Sequence, residues 1–530
     1  MSDPSNKPPR KKLGLKAPAE SVASDKPEAR KKPVRWSPLQ RDRARSTTEA
    51  PPPASAKKTK TNKANKPARP GKTDQPARGA AEGRRRPPQD GPARTPGQAQ
   101  ANRQAPAGEQ RPRPAKPEGE RRRPVKAEPV RLAFFAPCPR GLEALLGKEL
   151  AHLGAVDILP ASGGVGFAGD MQLAWRVNLW SRLAVRVLWQ VGRGAYQSEE
   201  DLYVAALALP WPDLFAVDKT IAVRTVGHAC ALKSLNFVTL RIKDAVCDRF
   251  RQETEHRPSV ETRTPDVPVL AYLDKERYTF YIDLSGDPLN RRGYRVEPAP
   301  APLNENLAAG MLMLAGWEPE MPLLDPMMGG GTILLEAAMI SLNMAPGLNR
   351  HFAFENLYGF DKVEWTRLRK DAQAEQAEPR QLPIYGADID PAMVRAAGLN
   401  LKATGLLDCV TLREGDVLEI PAPGRVGMIV SNPPYGVRLT VGQGASAPRP
   451  SREEIQPADF AVFYSALGDA LKQRFAGWSA HFLSADPELP KEIGLKAAKR
   501  TPLYNGPLDC RLYEYRMVAG TMRDKPAMPD

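Results

Sequence analysis

The sequence has few of the side chains that hold disulfide bonds or metal ions. Its 530 residues include five cysteines, which are widely spread, and five histidines, none of which lie in a cluster. Such a set forms neither a disulfide framework nor a CxxC metal pattern. No apolar run approaches the length of about 18 residues that a membrane-spanning helix needs, and the N-terminus lacks the apolar region of a secretory signal. We therefore expect a cytoplasmic protein without a metal or a membrane partner.

The first 130 residues are almost free of aromatic side chains, with Trp36 alone, and they carry the excess of positive charge. They hold 33 Lys and Arg against 13 Asp and Glu, together with 23 of the 55 prolines. The rest of the chain has 44 basic and 48 acidic residues, so the formal net charge of +16 is the sum of about +20 on this arm and about −4 on the rest. Without apolar side chains to bury, such a segment cannot offset the entropy lost on ordering. We predict a disordered basic arm over residues 1–130.

A polybasic arm gains binding free energy when it neutralises phosphates and releases their counterions. Its predicted role is therefore a nonspecific contact with nucleic acid. A solubilising tail without a site is the alternative, and an anionic membrane surface is less favoured because the arm has no amphipathic segment.

Two patterns of predicted elements divide the rest of the chain. From about residue 131, strands and helices are mixed, with a helix predicted over 173–189 and antiparallel strands at 270–273 and 279–283. From about residue 303, strands, Gly-rich turns and helices alternate, which is typical of a parallel sheet covered on both faces. The fold class predicted is α/β for the second region, preceded by an α+β module.

Three aspartates, Asp325, Asp388 and Asp416, close three successive predicted strands of the second region. Ligands of an open α/β sheet bind beyond the carboxyl ends of its strands. There Asp388 can accept two ribose hydroxyls, Asp416 an adenine amine, and Asp325 the ammonium of an amino acid. A ligand that has all of these groups is S-adenosylmethionine. Taken singly, each aspartate is also typical of a turn or a helix cap.

The run DPMMGGGT begins at Asp325 and joins the first strand to a helix. A Gly-rich turn lets the backbone approach a ligand closely and directs helix N–H groups toward negative charge. The run does not spell GxGxxG, it has no following Lys-Ser/Thr, and Asp388 comes about 63 residues after Asp325 instead of about 20. A dinucleotide site and a P-loop are therefore disfavoured, and a tight strand–helix connection is the remaining alternative. The predicted cofactor-binding residues of the run, besides Asp325, are Pro326, Gly329, Gly331 and Thr332.

The tetrad Asn432-Pro433-Pro434-Tyr435 follows the fourth predicted strand. The side-chain oxygen of Asn432 and the carbonyl of Pro433 can each accept one N–H bond from a planar amine and direct its lone pair at a methyl donor. Two prolines stiffen the backbone, and Tyr435 supplies a flat face on which a base stacks. We predict that the tetrad is catalytic. An Asx-Pro turn leaving a strand is the alternative.

A base inside a helix cannot reach such a pocket while it is stacked, so we expect a flipped or single-stranded base. A second module must then hold the nucleic acid, and the region 131–286 is the candidate. Arg241 and Lys243 lie on one predicted helix of this region and are the predicted contacts. A solvated surface is the alternative for both.

Residues 131–520 resemble the bacterial guanine-(N2) methyltransferases of large-subunit ribosomal RNA, the RlmL family, along nearly their whole length. The matching stretches are CPRGLEALL (138–146), NLWSRLAVRV (178–187), DLSGDPLNRRGYR (283–295), LLDPMMGGGTILLEAAM (323–339), GADID (386–390), SNPPYG (431–436) and YNGPLDCRLY (504–513). The sequence departs from the family's usual loop, which resembles DPMCGSGT, at Met328 and Gly330. Both changes are compatible with the same backbone path.

The resemblance implies a modular chain whose cofactor is S-adenosylmethionine and whose partner is large-subunit ribosomal RNA, either naked or in an assembling subunit. The implied reaction is methyl transfer to the 2-amino group of a guanine. A tRNA guanine, another planar amine, or a non-catalytic ribosome-assembly factor are the alternatives. The resemblance implies three domains, which we predict as a ferredoxin-like segment (131–168), a THUMP RNA-binding domain (169–286) and a Rossmann-like methyltransferase domain (303–520). The arm (1–130) has no counterpart in the resemblance, and a linker (287–302) and a tail (521–530) complete the predicted segments.

Overall fold

The computed structural model describes residues 131–296, 303–434 and 457–518. The basic arm at 1–130, Tyr435 and the tail at 521–530 therefore lie outside the described residues. The described residues fold around two sheets. Residues before position 297 form the first sheet, and residues after position 302 form the second.

The first region folds around a seven-stranded sheet of order β2-β3-β1-β4-β7-β6-β5. All neighbouring strands of this sheet are antiparallel except β5 and β6. This arrangement confirms the predicted α+β module. Its strands are β1 (Leu132–Pro137), β2 (Val156–Ala161), β3 (Gly164–Gly169), β4 (Leu188–Ala195), β5 (Ile221–His228), β6 (Val267–Asp274) and β7 (Arg277–Asp283). Its helices are α1 (Glu143–His152), α2 (Met171–Trp180), α3 (Glu199–Leu207) and α4 (Leu235–Thr254).

The helix predicted over 173–189 is α2, and it ends at Trp180. At the next residue, Ser181, the backbone becomes extended, and its hydroxyl donates to the carboxylate of Glu149. Arg182 is buried and donates to two backbone carbonyls of the second region, at 3.2 and 2.7 Å. The prediction of a longer helix was wrong because these tertiary contacts override the apolar periodicity that continues past Trp180.

The second region folds around another seven-stranded sheet, of order β10-β9-β8-β11-β12-β14-β13. Five neighbouring strands are parallel, and the edge hairpin of β13 and β14 is added to them by an antiparallel pairing. Numbered within the region, the parallel strands follow the doubly wound order 3-2-1-4-5, which confirms the predicted Rossmann-like fold. The strands are β8 (Leu323–Asp325), β9 (Ile384–Asp388), β10 (Thr411–Glu414), β11 (Gly427–Ser431), β12 (Trp478–Ser484), β13 (Lys499–Asn505) and β14 (Leu508–Arg516). The helices are α5 (Glu305–Ala315), α6 (Thr332–Ser341), α7 (Lys362–Ala374), α8 (Pro391–Ala403), α9 (Pro457–Arg474) and α10 (Leu489–Glu492).

A buried polar network joins the two regions. Arg292, which follows β7, forms a 3.3 Å ion pair with Glu336 of α6, and both side chains are almost fully buried. The same guanidinium donates to the backbone carbonyl of Arg182 at 2.6 Å. Arg295 pairs with Glu305 of α5 at 2.7 Å. Since α6 begins at the Gly-rich turn, this network fixes the first region relative to the turn.

Among the described helices, none is both long enough and apolar enough to pass through a lipid bilayer. Within the same residues, no group of three or more His, Cys, Asp and Glu side chains is arranged to bind a metal ion. The five cysteines are free thiols.

Candidate functional site

The carboxyl ends of four neighbouring parallel strands meet at one edge of the second sheet. Asp325 ends β8, Asp388 ends β9, and Asp416 follows the end of β10 by two residues. Asn432 comes directly after Ser431, the last residue of β11. Because adjacent strands lie about 4.8 Å apart, the structure brings these four predicted residues to one edge of the sheet.

Asp325 is the most deeply buried carboxylate of this edge, with about 1% of its surface exposed. Its Oδ1 accepts a 2.7 Å bond from the Ser431 hydroxyl and a 3.3 Å bond from the Met327 backbone N–H. Burial raises the pKa of Asp325 from an ordinary 3.8 to about 7, the two hydrogen bonds oppose the rise, and the charge of Asp388 adds to it. A cationic ligand at this position would favour the ionised form.

Asp388 contacts the Gly-rich turn through a hydrogen bond from the turn's backbone. Its Oδ2 accepts a 2.9 Å bond from the Gly329 N–H, and its Oδ1 accepts a 3.0 Å bond from the Asp390 N–H. Each carboxylate oxygen has capacity for a second donor, so the side chain can also accept ligand hydroxyls. Asp390 caps α8 through the Ala392 N–H.

The Gly-rich turn has a backbone that only glycine supports at two points. Gly329 and Gly331 have φ of +53° and +78°, and a Cβ on Gly331 would lie 3.0 Å from the Cβ of Ala397. Gly331 also precedes the first turn of α6, whose N–H groups face the cleft edge. Pro326 and Thr332 are buried, and the Thr332 hydroxyl accepts from Arg295 at 3.3 Å.

Asn400 of α8 is a site-supporting residue that the sequence did not reveal. Its amide donates a 3.0 Å bond to the Gly330 carbonyl, and its oxygen accepts a 2.9 Å bond from the Val296 N–H. The side chain is about 1% exposed. It therefore joins the turn to the segment that follows the first sheet. An asparagine at an otherwise apolar helix position was the available signal.

Asp416 accepts hydrogen bonds within the turn that follows β10. Its Oδ1 accepts a 2.9 Å bond from the Leu418 N–H, and its carbonyl accepts from Glu419 and Ile420. This is the turn arrangement that the sequence left open as the alternative for each aspartate. The side chain is partly buried at the same edge, so it is also within the region where a ligand amine would lie.

Asn432 carries an acceptor that no described residue uses. Its Oδ1 is buried, and no group in the described residues donates a hydrogen bond to it. Leaving a buried acceptor unpaired costs about 1–3 kcal/mol, and nine other buried side-chain atoms of the described residues are also unpaired. The position of Asn432 Oδ1 at the carboxyl edge of the sheet, next to the strand that ends at Asp325, is what makes it a candidate acceptor for a ligand. The neighbouring Pro433 is buried, and Pro434 is exposed.

Tyr464 of α9 forms a hydrogen bond with the tetrad. The sequence did not predict this contact. Its hydroxyl donates a 2.7 Å bond to the Pro434 carbonyl, and its ring is fully buried. Tyr435 lies outside the described residues. The tetrad is thus held in place by a helix that follows it in the chain.

Ile389 is a third residue that the sequence did not single out. It follows Asp388 directly and is 68% exposed. A large, solvent-exposed apolar side chain beside a carboxylate offers a surface against which a flat ring can pack.

Arg241 and Lys243 both lie on α4, as predicted, and both have acidic neighbours. The guanidinium of Arg241 pairs with Glu200 and lies 4.2 Å above the ring of Tyr203. Lys243 pairs with Asp244. Neither residue lies on the sheet edge that carries Asn432.

The edge therefore combines two kinds of group. One side has carboxylates and a Gly-rich turn suited to a ligand with hydroxyls and a positive charge. The other side has a buried, unpaired amide oxygen suited to an N–H donor. Ser431 links the two sides through its bond to Asp325. An arrangement of this kind can hold a cationic group donor next to a planar amine.

Three family models match consecutive parts of the chain. The RlmL ferredoxin-like domain matches residues 133–188, the THUMP domain matches 196–283, and the RMKL-like methyltransferase domain matches 292–514. Two curated relatives are both named ribosomal RNA large subunit methyltransferase K/L. The one from Shewanella frigidimarina is 37% identical over 403 residues, 75% of this chain and 54% of its own. The one from Aeromonas hydrophila is 38% identical over 405 residues, 73% of this chain and 54% of its own.

The chain thus spans about half the length of these curated relatives. Two solved structures match it over almost their full length. SMU.472, crystallised with SAH, is 30% identical with a TM-score of 0.65, and the match covers 74% of this chain and 99% of that one. A Listeria monocytogenes protein described as a predicted N6-adenine-specific DNA methylase is 30% identical with a TM-score of 0.64, covering 73% and 97%.

Proposed function

The chain belongs to the RlmL-like family of THUMP-containing methyltransferases, and from that premise we propose that it methylates the exocyclic 2-amino group of a guanine in large-subunit ribosomal RNA. The methyl donor is S-adenosylmethionine. The single observation that carries the proposal is the buried and unpaired Oδ1 of Asn432 at the carboxyl edge of the sheet.

The residues on the donor side fit S-adenosylmethionine. Asp388 has unused acceptor capacity for the ribose hydroxyls, and the exposed side chain of Ile389 can pack against the adenine ring. Asp325 is assigned to the ammonium, directly or through water. The turn that contains Pro326, Gly329, Gly331 and Thr332 lets the backbone approach the ligand, and Asp416 is assigned to the adenine amine. When bound, the cofactor supplies an electrophilic methyl group.

On the acceptor side, the chain's task is to prepare a poor nucleophile. The 2-amino group of guanine is planar because its lone pair is delocalised into the ring. Asn432 Oδ1 and the Pro433 carbonyl would each accept one N–H bond and hold the nitrogen with its lone pair toward the methyl group. Pro434, fixed by Tyr464, keeps the backbone rigid, and Tyr435 is assigned to stack on the flipped base. The methylated nitrogen is acidic enough to lose its proton to water.

RNA is the proposed partner because a THUMP domain precedes the catalytic one. Arg241 and Lys243 remain the proposed contacts of that domain, and phosphates would have to displace Glu200 and Asp244 from them. We also propose that the basic arm at 1–130 contacts RNA nonspecifically. Removal of the arm should then lower the salt dependence of RNA affinity.

The test compares Asn432→Ala with Asn432→Asp on unmethylated large-subunit ribosomal RNA. Alanine removes the acceptor, so kcat should fall about 100-fold or more while RNA and S-adenosylmethionine affinities stay within about twofold. Aspartate keeps acceptor oxygens and should retain more activity than alanine. Asn343→Ala, on the exposed turn after α6, is the matched control. Wild-type turnover by Asn432→Ala would refute the assigned role.

The identity of the acceptor is checked by mass analysis of modified nucleosides. The tetrad also suits a tRNA guanine, adenine or another planar amine, and one structural relative is named as an adenine methylase. Incubation with ribosomal RNA, tRNA and DNA in separate reactions should yield N2-methylguanine from ribosomal RNA. Saturable binding of S-adenosylmethionine without any methylated product would instead favour a non-catalytic assembly factor.

A further inference from the structure

A wide-mouthed surface cavity of about 500 Å³ lies where the first region meets the edge strand β13 of the second. It is lined by the start of α1 and the residues before it, by the end of β2 and the turn that follows, and by β13. Residues of two sequence stretches far apart in the chain, CPRGLEALL and YNGPLDCRLY, meet here. The donor and acceptor sites described above use neither stretch.

The charged group of this cavity is held in a defined position. The guanidinium of Arg140 lies 4.3 Å from the ring centroid of Tyr504, so a cation and an aromatic face are stacked against each other. Both side chains line the cavity, as does Ser162. A guanidinium is planar, and stacking on the ring restricts its orientation, so the group is held in a position from which it can contact a phosphate.

Glu143 also lines the cavity, but its carboxylate is already used by the backbone. Its two oxygens accept bonds from the Gly141 and Gly163 N–H groups at 2.8 and 2.9 Å. Gly141 itself has φ of +96°, and a Cβ there would lie 2.4 Å from the Pro502 carbonyl. The loop that carries Arg140 is therefore fixed closely against β13.

The cavity lies toward the same carboxyl edge of the sheet as Asn432. Ser431 of β11 pairs with Phe482 of β12. Phe482 pairs with Tyr513 of β14, and Tyr513 pairs with Arg500 of β13. Tyr504 lies four residues beyond Arg500 toward the carboxyl edge, and three strand spacings separate β13 from β11. At about 3.3 Å per residue and 4.8 Å per strand, the cavity is roughly 15–20 Å from Asn432. About five stacked nucleotides span that distance, and fewer extended ones do.

We propose that this cavity binds one nucleotide of the single-stranded RNA next to the target, with Arg140 on its phosphate and Tyr504 supporting its base and the arginine. The inference rests on the proposed function, since it takes RNA as the substrate. It adds a subsite, built by both regions together, that sets the register of the strand. A base flipped into the Asn432 site leaves its flanking strand unstacked, and such a strand binds to aromatic and cationic groups.

The test measures the affinity of a synthetic RNA that contains the guanine methylated by the wild-type protein. Single methylphosphonate linkages, which remove one phosphate charge, are placed at successive positions on both sides of this guanine. Wild type should lose about tenfold in affinity at one position two to five nucleotides away. Arg140→Ala should lose a similar factor on the unmodified RNA and show no further loss at that position.

Controls separate this role from a loss of structure. Arg380→Ala removes a half-exposed arginine that pairs with Glu320, and it should keep the full wild-type sensitivity to methylphosphonate. Arg140→Lys should lose less than Arg140→Ala, and Tyr504→Phe should behave as wild type. S-adenosylmethionine affinity should be unchanged in all of these variants. Additive losses for Arg140→Ala and every methylphosphonate would overturn the subsite and leave the proposed function standing. A wild-type protein that methylates no RNA would overturn both.

Discussion

The hydroxyl of Ser431 donates a 2.7 Å hydrogen bond to Oδ1 of Asp325, and this bond ties the strand that leads to Asn432 to the strand that ends at the cofactor side. Both side chains are almost fully buried. The bond favours the ionised form of a carboxylate that burial otherwise disfavours. Under the proposed function, this one polar contact would couple donor binding to acceptor positioning.

Ser431→Ala should shift the pH dependence of cofactor binding upward. The pKa of Asp325, already raised to about 7 by burial, loses a hydrogen bond that lowers it. We expect the midpoint of S-adenosylmethionine affinity against pH to rise by about one pH unit. Ser484→Ala removes a buried serine at the end of the neighbouring strand β12 and is the matched control. An equal midpoint in wild type and Ser431→Ala would contradict the coupling.

Binding of S-adenosylmethionine to the wild-type protein should itself depend on pH. Asp325 is largely protonated below a pKa of about 7, and a cationic ligand favours its carboxylate form. Affinity should therefore fall by up to about tenfold per pH unit below pH 7 and level off above pH 8. Calorimetry in buffers of different ionisation enthalpy should detect proton release on binding at pH 6 and little at pH 8.5. A flat affinity from pH 5.5 to 8.5 would show that the ligand does not sense this carboxylate.

Asp325→Asn should stabilise the ligand-free protein at high pH while weakening cofactor binding. The folded-state pKa of Asp325 is raised above the unfolded value of 3.8, so the stability linked to this group is present at low pH and is lost as the pH rises through about 7. At pH 8 the variant should gain roughly 2–4 kcal/mol in free energy of unfolding, and the gain should shrink by pH 5. Denaturant unfolding at both values measures it. A destabilised variant at pH 8 would mean that the buried charge is compensated in a way these contacts do not show.

The sequence predicted the second sheet better than the first. Regular alternation of strands and helices located the three aspartates and the tetrad at strand ends, and parallel strands place such ends together by geometry alone. In the first region the helix prediction ran past Trp180 into what is partly strand β4, because Gly192 and Gly194 weaken the strand signal. Tertiary contacts of Ser181 and Arg182 decided the boundary, and a local pattern does not contain them.

The sequence predicted the residue types of the candidate site, but it did not predict their burial, their pKa values or their hydrogen bonds. Asp325 looks like Asp416 in the sequence, yet one is buried with a pKa near 7 and the other closes a partly buried turn. The difference depends on how many strands surround each carboxylate. Likewise the unpaired oxygen of Asn432 and the anchoring hydroxyl of Tyr464 depend on packing between elements that are distant in the chain.

Adjacent arginines of the connecting segment should differ sharply in their contribution to stability. Arg292 pairs with the fully buried Glu336 and donates to the carbonyls of two other residues, so Arg292→Ala leaves the buried Glu336 without its ion-pair partner and with only a 3.5 Å hydrogen bond from the Tyr294 hydroxyl. We expect a loss of about 3–5 kcal/mol in free energy of unfolding. Arg291 pairs at 4.0 Å with an exposed Asp287, so Arg291→Ala should cost less than about 0.5 kcal/mol. Replacing Arg292 and Glu336 together by Met and Leu should recover part of the loss, because no buried charge remains. Urea unfolding of the four proteins measures these values, and equal losses for the two single variants would contradict the role of Arg292 in joining the regions.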